Sequence, residues 1–148
     1  ASTISQQLIK NTHLSSDRTF SRKINEIILT LQLEKVLNKN EIIENYLNII
    51  YYGNGTYGIE NAANYYFSKN AKNLTLGESC VLAGMIKSPA LYSPITNYDK
   101  CLKRRNLVLC EMYKDNKITK EDKEAYVDED GFLYIRFLTE KEGVLTVK

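Results

Sequence analysis

Apolar residues return at intervals of three and four along most of this chain, and that spacing leaves it little to become except packed helices. A short helix is predicted over Ser2 to Asn11 with Leu8 and Ile9 inward. After a polar loop around Ser15 and Ser16, a longer helix is predicted from about Arg18 to Leu37, with Ile24, Ile27, Ile28 and Leu31 as its apolar stripe. Asn38 followed three positions on by Glu41 is close to a capping box and opens a third helix through Ile42, Ile43, Tyr46, Leu47 and Ile50. Gly53, Gly55 and Gly58 interrupt the pattern with a tight turn, and no Lys-Ser/Thr follows that would make it a phosphate cradle. A helix over Ile59 to Phe67 comes next. Thr75 with Glu78 caps another, Ser88-Pro89 and Ser93-Pro94 mark turns, and Asn97 or Asp99 starts a helix to about Tyr113. Thr119 with Asp122 starts a last short one. Beyond Ala125 the residues become β-branched and aromatic around two glycines, which reads as a hairpin or linker. The expected class is mainly α.

At 148 residues and 43% hydrophobic the chain suits one domain with a real core. No apolar run approaches the roughly 20 residues that cross a bilayer, and the opening ASTISQQ is too polar for a signal peptide. The net charge of +2 conceals a division: residues 1–120 hold 16 Lys and Arg against 10 acids, and residues 121–148 hold 4 against 8. The basic part suits an anionic ligand or simply a solvated surface. Cys80, Cys101 and Cys110 are odd in number, lack a CxxC pair and sit among apolar neighbours, so buried free thiols are expected and no metal site is indicated. His13, the single histidine, reads as a polar loop position.

One constellation could carry chemistry. Arg18, Arg22 and Glu26 stand four residues apart and stack on one helix face, with Lys23 beside them. Gln6, Gln7 and Lys10, within one turn of each other on the preceding helix, could converge on the same ligand. The spacing alone fits equally an exposed face with two helix salt bridges. A nucleic-acid binder would use the same cations, but only Phe20 interleaves an aromatic ring among them, so no nucleic-acid partner is expected.

The segment STISQQLIKN at residues 2–11 resembles the STxTQQ motif of peptidoglycan glycosyltransferases, the polymerase domain of class A penicillin-binding proteins. RTFSRKINE at 18–26 is similar to their RKxxE motif, KNEIIENYLN at 39–48 to KxxILExYLN, and RRNLVL at 104–109 to RRxxVL. IIYYGNGTYGIENAANYYF resembles the family's link between the last two. Ser5 stands where Thr is usual, and Ile43 where Leu is common. The family's first motif, whose Glu is the catalytic base, precedes STxTQQ and is not among these residues; the expectation is a partial, N-terminally truncated domain over 1–126, with 127–148 unassigned.

The resemblance implies a lysozyme-like helical lobe that polymerises lipid II into glycan strands, with inversion and loss of polyprenyl diphosphate. It implies Glu26 as the carboxylate that positions or protonates the leaving group. Lys10, Arg18, Arg22 and Lys23 would grip the diphosphate, and Ser2, Thr3, Gln6 and Gln7 would form the polar wall of the cleft. Glu44, Tyr46, Asn48, Arg104 and Arg105 would tie helices together beneath the site, with Glu44 a candidate partner for a buried Arg. It further implies no tightly bound cofactor, with a divalent cation (Mg or Mn) used by family members. The implied partners are lipid II and the growing strand, the bacterial membrane surface, phosphoglycolipid inhibitors and a C-terminal transpeptidase domain. The implied place is the outer face of the cytoplasmic membrane, the anchor lying outside these residues. The fragment alone would be inactive, or a binding module for lipid-linked diphosphate or glycan.

Overall fold

The computed structural model describes residues 2–13, 19–126, 138–141 and 144–147, the last two stretches by their backbone only. Contacts divide the chain into two compact units, 1–50 and 51–148. Seven α-helices and four short strands lie among the described residues, which makes the protein mainly α.

The first unit is three helices: α1 (Ile4–His13), α2 (Phe20–Val36) and α3 (Lys39–Ile49). The α2 helix starts where the Thr19 hydroxyl accepts a hydrogen bond from the Arg22 N–H, satisfying one donor that the first turn leaves open. The predicted capping box opens α3: Asn38 accepts from the N–H groups of Asn40 and Glu41, and Glu41 accepts from the Asn38 N–H. The apolar core of this unit is small, formed by Leu8 and Ile9 from α1 and Ile42, Tyr46 and Ile50 on and after α3.

The second helix reverses the expected orientation. Its buried residues are Glu26 and Thr30, whereas the apolar stripe Ile24, Ile27, Ile28 and Leu31 is exposed, as is Phe20 at 83%. Periodicity located the two faces correctly but not which one the core would take. Thr30 sits comfortably inside because its hydroxyl donates to the Glu26 carbonyl one turn back, at 2.7 Å.

The second unit begins with a small antiparallel hairpin, β1 (Tyr51–Gly53) and β2 (Thr56–Tyr57), where a tight turn was predicted. Gly53, at φ +90°, lies so close to Pro89 and the Tyr66 hydroxyl that a Cβ would stand 3.2 Å from each. There follow α4 (Ile59–Phe67), a 3-10 turn (Ala71–Asn73), α5 (Leu76–Met85), α6 (Tyr98–Lys114) and α7 (Lys120–Glu124). Two further strands, β3 (Leu138–Lys141) and β4 (Val144–Val147), pair antiparallel. The capping boxes read from Thr75/Glu78 and Thr119/Asp122 are both formed. Asn97 stands at the N-cap of α6 without a side-chain bond to it.

The core here is larger. Tyr52, Tyr66, Phe67, Leu82, Met85 and Leu109 are almost fully buried, and the Tyr66 hydroxyl donates to the Tyr52 carbonyl at 2.9 Å. All three cysteines are free; Cys80 and Cys101 are buried, but Cys110 is only half-buried. Burial lifts the Cys80 thiol to about 11 and the Cys101 thiol to about 12, because an apolar surround penalises a thiolate. No described helix is long and apolar enough to cross a membrane.

Candidate active site

The first unit brings one carboxylate and its cations together. Glu26 is 2% exposed. Its Oε1 accepts a hydrogen bond from Lys23 Nζ, and its Oε2 lies 3.8 Å from Arg22 Nη1. Helical spacing explains the grouping, since positions three and four apart share a face. Arg22 is mostly covered, yet its Nε has no hydrogen-bond partner among the described residues. Lys23 remains nearly half-exposed. Two cations on one carboxylate leave an excess positive charge at the first turns of α2, where the helix dipole adds more. A buried ion normally persists only when its partners balance it, so an uncompensated cation at the edge of such a cluster invites an anion.

The α1 residues take differing places. Gln7 accepts a hydrogen bond from the Tyr46 hydroxyl at 2.9 Å, which ties α3 to α1. Burial pushes the Tyr46 phenol above its ordinary value. Thr3 and Gln6 cap α1 reciprocally, each side chain accepting from the other's N–H at 3.2 Å, so part of their bonding capacity serves the helix start. Ser2 is exposed. Lys10 is exposed in the last turn of α1, where His13 also lies, at the end of the helix and not in a loop. Arg18 lies outside the described residues. Reading the sequence did not single out Thr19 or Thr30, and no motif marks them; a hydroxyl at a helix start was the one available signal for Thr19.

Of the residues expected to tie helices together, Tyr46 links α3 to α1 through Gln7. Glu44 and Asn48 are exposed on α3. Arg105 is buried and satisfied within its own unit: Nε and Nη2 donate to Asn106 Oδ1 at 3.1 and 3.0 Å, Nη2 also to the Tyr126 carbonyl at 3.4 Å. Its guanidinium also lies 5.2 Å over the Tyr126 ring. Within this unit its side-chain acceptor is Asn106, the adjacent residue on α6. Arg104 is half-buried, its guanidinium 5.6 Å over the Tyr92 ring.

The family model for transglycosylases matches residues 1–113. The chain is 42% identical over 138 residues to penicillin-binding protein 1A of Neisseria gonorrhoeae, covering 93% of this chain and 17% of that protein. It is 47% identical over 128 residues to penicillin-binding protein 1A of Pseudomonas aeruginosa, covering 86% and 16%. Penicillin-binding protein 2D of Bacillus subtilis is 45% identical over 129 residues, covering 87% and 19%. Among solved structures, penicillin-binding protein 1A from Haemophilus influenzae superposes with a TM-score of 0.53 at 29% identity, covering 84% of this chain and 15% of that one. The chain belongs to the transglycosylase family, the glycosyltransferase of class A penicillin-binding proteins. It spans about a sixth of the length of the relatives it matches.

Proposed function

We propose that this chain supplies the donor half of a peptidoglycan glycosyltransferase site, in which the α1–α2 cluster holds the diphosphate of a lipid-linked glycan while Glu26 assists its departure. The observation that carries this reading is the buried Glu26 flanked by two cations, one of which keeps an unpartnered Nε. In the reaction, an acceptor sugar hydroxyl attacks the donor's anomeric carbon. The carbon–oxygen bond to the diphosphate breaks, the configuration inverts, and the hydroxyl proton passes to a base. Charge accumulates on the departing diphosphate, and that is where fixed cations stabilise the transition state more than the ground state. Arg22 offers a planar fork suited to two phosphate oxygens, and Lys23 and Lys10 offer mobile point charges. Arg18, Ser2, Thr3, Gln6 and Gln7 complete the site in this reading.

An inverting displacement of this kind uses two acid–base groups, as glycosidases do with paired carboxylates. Among the described residues the cluster holds one carboxylate. In this reading Glu26 serves the departing diphosphate, and a second acid–base group serves the acceptor hydroxyl. A single carboxylate already engaged by two cations is a poor protein cage for a hard divalent ion, so a magnesium or manganese ion would be carried on the diphosphate oxygens. Lipid II as substrate, the outer face of the cytoplasmic membrane as location, and a companion transpeptidase domain follow from the family and are part of this proposal.

The test is titration of a soluble short-chain lipid diphosphate against the parent, Arg22→Ala and the surface control Lys117→Ala. Loss of a charge-assisted bond of roughly 1.5 to 3 kcal/mol predicts weakening of about tenfold or more for Arg22→Ala, and none for the control. Equal affinity in all three proteins would reduce the cluster to a buried salt bridge with no ligand.

A further inference from the structure

The β1–β2 hairpin turns on Asn54-Gly55, the one Asn-Gly pair in the sequence. Gly53 pairs with Thr56, so these two residues alone make the turn, and both take positive φ, 49° and 72°. Asparagine tolerates the left-handed region and glycine enters it without steric cost, which is why this pair suits a two-residue hairpin. The pair is also chemically labile, asparagine being among the residues that decay fastest. The Gly55 amide nitrogen can close a five-membered ring on the Asn54 side-chain carbon. No side chain on Gly55 obstructs the approach, and even a Cβ there would meet nothing within 4 Å.

Exposure does not single Asn54 out, but its backbone does. Asn45, Asn61 and Asn64 are exposed too, yet they lie inside helices, each Nδ2 donating to the carbonyl four residues back at 2.8, 2.9 and 2.9 Å. For Asn61 the attacking nitrogen would be that of Ala62, which the Gly58 carbonyl holds at 3.0 Å. The Gly55 N–H donates instead to the Tyr51 hydroxyl, a longer bond of 3.4 Å to a side chain that is 44% exposed. Asn54 is tethered through Nδ2, which donates to the Tyr66 hydroxyl of α4 at 3.3 Å. That hydroxyl has already committed its proton to the Tyr52 carbonyl.

We infer that Asn54 is a site of spontaneous covalent modification, deamidating through a succinimide to aspartate and isoaspartate, and that the change unties the hairpin from α4. The Gly55 nitrogen gives its proton to solvent and bonds to Asn54 Cγ. The Cγ–Nδ2 bond breaks, and the side-chain nitrogen leaves as ammonia, taking one proton back from solvent. Water then opens the ring at either carbonyl, so one water is consumed and one ammonia released. Opening one way leaves aspartate, whose carboxylate only accepts hydrogen bonds and so has nothing to offer the Tyr66 oxygen. Opening the other way leaves isoaspartate, which lengthens the backbone of a two-residue turn by a methylene. The donor that tied the hairpin to Tyr66 is gone in both. The inference is independent of the glycosyl-transfer reading.

Timed incubation of the 148-residue chain in mildly alkaline buffer, followed by peptide mapping with mass spectrometry, tests it. Helical amides must open before they can attack, so Asn54 should convert at least about tenfold faster than Asn45, Asn61 or Asn64. Tyr66→Phe removes the tether and keeps the ring, and should accelerate conversion severalfold. Asn54→Asp reproduces one product and should raise amide hydrogen exchange across residues 51–57 above that of the parent. Far-UV circular dichroism establishes that each variant is folded. The proposal is overturned if Asn54 survives as long as the helical asparagines, if folded Tyr66→Phe converts at the parent rate, or if Asn54→Asp leaves exchange in the hairpin unchanged.

Discussion

Among the described residues each unit buries one glutamate, and the two are treated differently. Glu78 at the start of α5 is fully enclosed, and its charge is closed: Lys69 Nζ donates to both oxygens at 2.7 and 3.0 Å, and the Thr75 N–H donates to Oε2 at 2.8 Å. One cation answers one anion, and the same carboxylate completes a helix cap. Glu26 on α2 is nearly as deep but has two cations around it, one at 3.8 Å with a buried Nε left unbonded. The first arrangement has no use for a ligand. The second has spare positive charge and spare donors beside a carboxylate, which is what binding and expelling a diphosphate requires.

The contrast is sharpest in paired substitutions. In the full-length protein, Glu26→Gln should lower the polymerisation rate by about 10² to 10⁴-fold, because it removes an electrostatic or acid group and keeps the shape. Glu78→Gln should instead destabilise the fold by about 1 to 3 kcal/mol, since the partly exposed Lys69 loses its counter-ion but keeps access to water, while activity per folded molecule is retained. Rates normalised to the folded fraction, alongside urea melts, separate the two. If Glu26→Gln unfolds the protein and spares the rate, Glu26 is a second Glu78 and the comparison collapses.

A smaller effect probes the cores. Leu109 is fully buried on α6, and Leu109→Ala should cost about 2 to 5 kcal/mol in a denaturant melt. Alkali should weaken the same region. Cys80 and Cys101 rise from 9.0 to about 11 and about 12 in the folded protein. Groups raised on folding stabilise fully below their unfolded value, so this stability is intact below pH about 9 and is lost as pH climbs through the folded values. The two thiols together should cost roughly 1 to 3 kcal/mol by pH 10, and the variant with both replaced by alanine should show a flatter profile. The smallest effect is expected on the exposed stripe of α2. Leu31→Ala should change stability by less than about 0.5 kcal/mol, while Ile28→Ser with Leu31→Ser should reduce any self-association seen by sedimentation velocity. A loss comparable to that of Leu109→Ala would mean the stripe is covered in solution.

Much of the helical layout was legible because its signals are local. The Asn38/Glu41, Thr75/Glu78 and Thr119/Asp122 pairs satisfy N–H groups within three residues of themselves, so no distant contact is needed to form them. The grouping of Arg22, Lys23 and Glu26 was legible for the same reason. What could not be read was that Arg105 would bond Asn106 and the Tyr126 carbonyl, because no spacing signal marks either as its acceptor. A cavity lined by Lys87 and the α6 cations was likewise missed: the i, i+3, i+4 spacing of Lys100, Lys103 and Arg104 was visible, but not that the turns after α5 would face it.

By itself, then, the sequence determined where helices begin and end, which residues share a face, and to which family the motifs point, since periodicity, capping and motif order all act along the chain. Only the tertiary structure decided which face goes inside. On α2 it chose Glu26 and Thr30 over Ile24, Ile27, Ile28 and Leu31. A helix's period separates its two faces but does not say which will meet protein; that depends on what the neighbouring helices offer, and here they leave room for a carboxylate whose own cations accompany it.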